Sequence, residues 1–399
     1  MSAVEPVPSD SGLPRLPRDG VDDHTPAAAA GRRALAEAAA GRAFEHIAGA
    51  PVPLAQTRGK IENPIGFAQV PLGLAGPLRV NGEAGPYEVF VPLAATEGAL
   101  VASYSRGMSV LREAGGARAR VIADALSQHP MLVYRDGGAA QAAAGTVPDC
   151  VERWGQRVSE ITRHGALASA KAEVWGRRVI LRLLFTTGDA IGINMAARAA
   201  ELISIDFAES TGALERHVHG QDVEKRSNAR ALVEGRGRST VADAIVPREL
   251  VERRLRTTPE KLAAIARSYA AGYAQLGTHN WTIQAANGLA ALFLACGQDV
   301  AYVVESATGY LDLDVTAEGD LYAGVHLPSL LVGTVGGGSG QGTAAECLAI
   351  LGCTGSGTAR RFAEIAAATV LAGDLSLMAS FTAGDFVDAH ERLGRNRPG

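Results

Sequence analysis

The residues best equipped for chemistry fall in two glycine-bearing loops and at four separate polar positions. The first loop runs Gly333-Thr334-Val335-Gly336-Gly337-Gly338-Ser339-Gly340-Gln341-Gly342 and precedes a helix expected from about Thr343. Backbone amides ahead of a helix N-terminus can cradle an anion or a cofactor amide. The loop is not a strict GxGxxG, because the three-glycine spacing fails in every frame. It is not a Walker A loop either, since Thr343 stands where a lysine is needed. Taken alone, Gly336, Gly337 and Gly338 fit a tight turn as well as a ligand cradle.

The second loop, Asp189-Ala190-Ile191-Gly192-Ile193-Asn194-Met195, follows a strand expected over Arg178 to Phe185 and opens a helix. Asp189 suits an N-cap, so a capped helix with one close-packed Gly is its plainest account. The four polar positions are Glu97, Lys225, Asp299 and His390. These are titratable types used in acid–base work. Each has an ordinary alternative as a helix cap, a solvated charge, a helix-end acid or a surface imidazole.

Elements that could position these residues follow from periodicity and punctuation. Residues 1–28 are rich in Pro, Ser and Asp and suggest a disordered tail. Helices are expected over Ala30–Ala48, Gly98–Glu113, Val147–Gly165, Ala190–Ser210, residues 258–278 and 281–296, and Ala359–Ala372. Strand-like runs occur at 87–93, Arg120–Ala123, Met131–Val133, Leu167–Val174 and Arg178–Phe185. Val70 to Pro77 is punctuated by Gly and Pro and suggests turns. The stretch 115–216 alternates strands and helices, as a small α/β sandwich inserted into a larger unit would.

Composition narrows the function. The 399 residues suffice for two or three domains. A net charge of -4 and only 5% aromatics leave neither a basic field nor stacking platforms for nucleic acid. Cys150, Cys296, Cys347 and Cys353 form no CxxC pair and have no His at zinc-finger spacing, so no metal is expected. They suit a reducing, cytoplasmic setting. No signal-peptide pattern opens the chain, and apolar stretches such as Leu289–Cys296 fall short of the ~20 residues of a membrane span.

Taken together, the motifs resemble those of the hydroxymethylglutaryl-CoA reductase family in its class I form. The resemblance rests on an ordered set from Glu62-Asn63-Pro64-Ile65-Gly66 through Ala95-Thr96-Glu97-Gly98, Gly188 to Met195, Glu234-Gly235-Arg236-Gly237, Ala295-Cys296-Gly297-Gln298-Asp299 and Gly333 to Gly338, to Leu371–His390. It implies an α/β (α+β) fold in which a large, mainly helical catalytic domain, 29–114 with 217–399, is interrupted by a small ferredoxin-like cofactor domain, 115–216. It also implies a C-terminal segment, 385–399, carrying a catalytic His. The implied partners are an acyl-CoA, NADPH and a second copy, as a homodimer or dimer of dimers, with no membrane.

Residue by residue, the resemblance makes Lys225 the stabiliser of the developing oxyanion. Glu97 becomes the proton donor for the aldehyde step, Asp299 the group that tunes both, and His390 the acid for the departing CoA thiolate. On the cofactor side it implies Asp189, Ile191, Gly192, Asn194 and Gly336 to Gly338. Thr162 and Arg163 fall where the 2′-phosphate is held, which favours NADPH over NADH. Substrate contacts would come from Ser103, Arg106, Glu224, Arg226 and Asn287. The chain departs from the pattern at Gln128, where an arginine for the acyl carboxylate is expected, at Val218 in place of a serine, and at Gln284 in place of a histidine. These departures keep open a sibling reductase of another acyl thioester and a non-catalytic NADPH-binding homologue.

Overall fold

The computed structural model describes residues 19, 21–22, 25–31, 34 and 53–383 of the chain. Two compact units divide it, Met1–Pro71 and Leu72–Gly399. In the first, Thr25 Oγ1 accepts the N–H of Ala28 at 3.1 Å, and Pro26 takes the first helical position. A helix over residues 26–31 therefore starts ahead of Ala30. A short 3-10 turn, Leu54–Thr57, follows, and Arg58 pairs with Asp22. The chain before residue 19, most of the expected Ala30–Ala48 helix, and residues 384–399 with His390 lie outside the described residues.

The second unit opens with β1 (Leu72–Gly82), β2 (Gly85–Ala94), α1 (Leu100–Glu113) and β3 (Ala117–Gln128). It continues through β4 (Met131–Val133), α2 (Gly137–Gly145), α3 (Val147–Ile161), β5 (Ala166–Trp175), β6 (Arg178–Thr186), α4 (Ile193–Thr211) and β7 (Glu215–His217). The remainder comprises β8 (Gly237–Val246), α5 (Pro259–Leu276), β9 (Asn280–Trp281), α6 (Ala285–Ala295), β10 (Gly309–Val315), β11 (Leu321–Leu330), α7 (Gly342–Ile350) and α8 (Thr358–Ala383). β1 replaces the turns expected before Pro77. Its pairing with β2 shifts between Ala75 and Leu78, and that irregularity accommodates a proline, which cannot donate to the ladder.

Seven strands form a mixed sheet in the order β2-β1-β3-β8-β11-β10-β9. Helix α8 packs on β8, β11, β3 and β1, and α1 packs against α8. Phe362, Ile365, Leu371, Leu375 and Met378 of α8 are fully buried. The α1–α8 contact is close: a Cβ on Gly107 would lie 1.8 Å from the carbonyl oxygen of Ala372. By length and hydropathy α8 could cross a membrane, and it exceeds the apolar runs read from the sequence. Yet 83% of its most apolar window is buried in the protein, as in a core helix.

The last residues of β3, Leu126–Gln128, leave β8 and pair with β6. A second sheet forms there, in the order β7-β4-β6-β5, all antiparallel. With α2 and α3 before β5 and α4 before β7, this is the ferredoxin-like βαββαβ arrangement. Helix α3 buries Val147, Cys150, Trp154 and Val158 at helical spacing. Trp154 meets Phe207 of α4 edge-on at 5.5 Å and donates its indole N–H to Asp206 at 2.8 Å.

Candidate active site

Lys225 stands in the left-handed region, φ 57°, a conformation that strains a residue with a Cβ. Glu305 offsets this strain by accepting the Lys225 backbone N–H. Glu305 is in turn held by Arg236, whose Nη1 lies 3.0 Å from one carboxylate oxygen and 3.2 Å from the other. Both side chains are buried, at 3% and 0% exposure. Burial pushes the Glu305 carboxyl up, against the opposing pull of Arg236 and the Lys225 amide. Arg236 reaches this depth because Gly235 and Gly237, both at positive φ, let the turn press onto Pro328 and Leu331.

With its backbone fixed, Lys225 points its ammonium at Asp299. The Nζ–Oδ2 distance is 3.0 Å, and both groups remain about half exposed. Asp299 is itself oriented, since Oδ1 accepts the N–H of Ala301 at 3.0 Å. The ammonium also lies 4.9 Å from the centre of the Tyr302 ring. Tyr302 donates its hydroxyl to Glu224. Burial and the neighbouring Glu224 carboxylate push the phenol up, so it stays protonated as a donor.

These groups border a cleft of about 500 Å³ whose other wall is Ala190–Met195 with Gly297, Gln298, Gly333 and Gly336–Gly337. Gly192, at φ 85°, occupies the N-cap of α4, and no side chain caps this helix. Its first residues, Ile193 to Met195, line the cleft, so their backbone donors are available to an anion. The glycine loops touch directly: Gly338 N–H donates to Gly297 O at 3.1 Å, and a Cβ on Gly297 would come within 2.5 Å of Gly338. Gln298 accepts the Gly333 N–H at 2.9 Å. Such a cradle and a bare helix N-terminus fit the phosphate-bearing part of a dinucleotide.

Asp189 takes a different place from the one its position before α4 suggested. It does not line the cleft. Its carboxylate accepts from Gly357 N–H at 2.7 Å and Ala359 N–H at 3.0 Å, capping α8 instead of α4. Its carbonyl accepts from Thr334 N–H at 2.8 Å and so ties the two glycine-bearing loops together. Thr162 closes α3 and accepts the His164 N–H at 3.1 Å, with Arg163 exposed beside it. Gly165 next to them packs against Met195 of the cleft wall.

The substrate-side expectations divide. Glu224 lines the cleft. Arg226 is exposed, 2.6 Å from Asp222, and does not line it. Ser103, Arg106 and Gln284 gather elsewhere, against α8. Ser103 Oγ lies 3.1 Å from Ser376 Oγ, Arg106 donates to Ser376 Oγ at 3.0 Å, and Gln284 donates to Ser103 Oγ at 3.3 Å. Asn287 is exposed near the start of α6, and Glu97 is exposed between β2 and α1. Neither borders the cleft. Gln128 is buried at the end of β3, and Val218 lies close to it. Among the described residues no cluster of metal-ligating side chains forms. Tyr302, Glu305 and the structural role of Arg236 were not read from the sequence. A lone Arg between two glycines was the only trace of that scaffold.

An ammonium poised by a carboxylate, opposite an uncapped helix start beside a ferredoxin-like sheet, is an arrangement suited to an α/β oxidoreductase that uses a dinucleotide. The family described as hydroxymethylglutaryl-coenzyme A reductase matches residues 28–395, and the chain belongs to that family. The 3-hydroxy-3-methylglutaryl-coenzyme A reductase of Pyrococcus abyssi is 40% identical over 91% of this chain and 92% of its own. That of Methanothermobacter thermautotrophicus is also 40% identical, over 91% and 92%. Among solved structures, the class II reductase of Streptococcus pneumoniae, bound to NADPH in open conformations, superposes with a TM-score of 0.68. It has 20% identity and covers 87% of this chain and 92% of its own, a likeness of fold.

Proposed function

We propose that this chain reduces 3-hydroxy-3-methylglutaryl-CoA to mevalonate in two steps, using two NADPH and releasing CoA. The observation that carries the proposal is the Lys225–Asp299 pair, 3.0 Å apart, on the rim of a cleft whose other wall holds the uncapped start of α4. NADPH, when bound, supplies the hydride. Lys225 stabilises the negative charge that develops on the carbonyl oxygen, first of the thioester and then of the aldehyde. Asp299 keeps the ammonium directed at that oxygen. Glu97 supplies the proton in the aldehyde step, and His390 protonates the leaving CoA thiolate. Arg163, exposed two residues before the Gly165 that packs on Met195 of the cleft wall, favours the 2′-phosphate of NADPH over NADH.

We infer a homodimer, or a dimer of dimers, with each site at a subunit boundary. Within one chain Glu97, Ser103, Arg106, Gln284 and Asn287 do not border the Lys225 cleft, so a second copy is what brings the two groups together. Four free, buried cysteines suit a reducing, cytoplasmic setting. Gln128 supports a second reading, the same chemistry on another acyl thioester, because a neutral amide lacks the charge of a bidentate cation. The test is NADPH oxidation with 3-hydroxy-3-methylglutaryl-CoA and an assay for mevalonate. Mevalonate establishes the proposal. Turnover only with another acyl-CoA moves it to the second reading, and NADPH binding without turnover of any thioester leaves a non-catalytic homologue.

A further inference from the structure

Asp299, Tyr302 and Glu305, spaced three apart on one short stretch of chain, hold the Glu224–Lys225 pair between them. Asp299 caps the 3-10 turn Val300–Tyr302, and Tyr302 in turn precedes the helical turn Val303–Ser306. Side chains three apart eclipse in a 3-10 turn, so the spacing stacks these groups along one face. All three meet the same dipeptide. Asp299 takes the Lys225 ammonium at 3.0 Å, the Tyr302 ring centre lies 4.9 Å from that ammonium, and Glu305 accepts the Lys225 backbone N–H.

Tyr302 differs from the other two in gripping both residues by their side chains. Its hydroxyl donates to Glu224 Oε1, while Arg236 Nη2 lies 3.5 Å from the other oxygen, Oε2. Glu224 is thereby oriented from two sides, and it lines the cleft together with Lys225, Asp299 and Tyr302. Tyr302 is itself immobile, being 5% exposed. Lys225 is not: its side chain is 42% exposed on a long flexible stem, and Asp299 beside it is 48% exposed. An ion pair so open to water fixes direction weakly. A rigid ring next to it blocks the rotamers that would enter its volume, and its face attracts the cation.

We propose that Tyr302 is a positioning residue for the reduction, its ring setting the Lys225 ammonium for the oxyanion and its hydroxyl setting Glu224 for the substrate. The inference rests on the reductase reading of the cleft and adds to it a group that acts only through Lys225 and Glu224. The two parts of the side chain act at different stages. Charge develops on the carbonyl oxygen during hydride transfer, so a displaced ammonium slows the chemical step. Glu224, as a substrate contact, acts in binding, so a loosened carboxylate raises KM.

The experiment measures single-turnover NADPH oxidation by the full chain over a range of 3-hydroxy-3-methylglutaryl-CoA concentrations, which separates the maximal rate from the half-saturating concentration. Tyr302→Phe keeps the ring and loses the hydroxyl. It should raise the half-saturating concentration about tenfold, the scale of one hydrogen bond to a charged group, with a much smaller fall in rate. Tyr302→Leu loses ring and hydroxyl together, and should also lower the maximal rate by about 5- to 30-fold, the scale of a cation–π contact. Tyr302→Met gives the ring-free reading should the leucine variant fail to fold. A rate kept by phenylalanine and lost without a ring is a split that a merely structural tyrosine would not produce. Equal maximal rates in the folded phenylalanine and ring-free variants, or a half-saturating concentration unmoved by phenylalanine, overturn the inference while turnover by the unmodified protein keeps the reductase reading. No turnover by unmodified protein that binds NADPH overturns the 3-hydroxy-3-methylglutaryl-CoA reading, and the inference with it.

Discussion

Asp374 lies inside α8, yet its carboxylate holds the start of another helix, accepting from Gln284 N–H at 2.8 Å. Ile283 N–H donates to its second oxygen at 3.1 Å. Gln284 in turn gives its carbonyl to the Tyr104 hydroxyl at 2.6 Å. One buried acid therefore locks α6 and α1 onto the central helix, beneath the positions expected to contact substrate.

That burial makes the lock sensitive to pH. With no exposed surface, the Asp374 carboxyl is pushed up to about 7, its two amide donors only partly opposing the shift. A carboxyl whose pKa is higher folded than unfolded gives stability that is full below the unfolded pKa and is lost as pH rises through the folded one. Urea unfolding should show the unmodified protein losing stability relative to Asp374→Asn between about pH 4 and 7, with a constant difference above about pH 8. The change should be a few kcal/mol, at about 1.4 kcal/mol per pKa unit. A difference independent of pH would mean that Asp374 stays ionised in the fold.

Arg236 and Glu305 separate stability from function. Arg236→Ala strands a buried carboxylate and should cost about 3–5 kcal/mol in urea unfolding. Replacing both partners, Arg236→Met with Glu305→Leu, should come close to the original stability, because buried ion pairs often exchange for apolar pairs at little loss. The double variant should still lose activity, since the Lys225 N–H no longer has the acceptor that holds φ at 57°. NADPH oxidation at unmodified levels in a folded double variant would show that Lys225 needs no such support.

The cofactor prediction turns on one exposed side chain. Arg163→Ala removes an exposed guanidinium two residues before Gly165, which packs on Met195 of the cleft wall, and should raise KM for NADPH by about 10- to 100-fold, the range of a charge-assisted hydrogen bond. KM for NADH should move little. Equal losses for both cofactors would place the 2′-phosphate against a different group.

Much of the scaffold was legible because periodicity is local. The strands over 87–93, 167–174 and 178–185 and the helix ending at Glu113 appear within a few residues of their expected places. β8 escaped because it is buried along most of its length, which erases the alternation that marks a half-buried strand. α8 was expected to end near Ala372, where Gly373 and Asp374 suggest a stop. It continues because Gly373 sits against Tyr104 and Asp374 is used by α6. Asp189 shows the limit best. That it caps a helix was readable from its type, but its partner Gly357, just before the helix that starts at Thr358, lies 168 residues away, and sequence neighbours carry no trace of that pairing. Lys225 and Asp299 carry no local sign of their pairing, which only the family resemblance implied, and the fold sets them 3.0 Å apart.

The last prediction concerns the division of the site between subunits. Lys225→Ala and Glu97→Gln should each inactivate thioester reduction, Lys225→Ala by at least 10²- to 10³-fold, the scale for removing an oxyanion donor. If each site draws Lys225 from one chain and Glu97 from the other, a mixed dimer of the two variants holds one site with both residues intact and one with neither. Refolding the variants together in equal amounts makes half the dimers mixed, so about a quarter of the original activity should return by the statistics of a twofold assembly. The same mixture of Lys225→Ala with Asp299→Ala should recover nothing, because those two side chains meet within one chain. No recovery in the first mixture would overturn the assignment, making Glu97 and Lys225 groups of a single subunit.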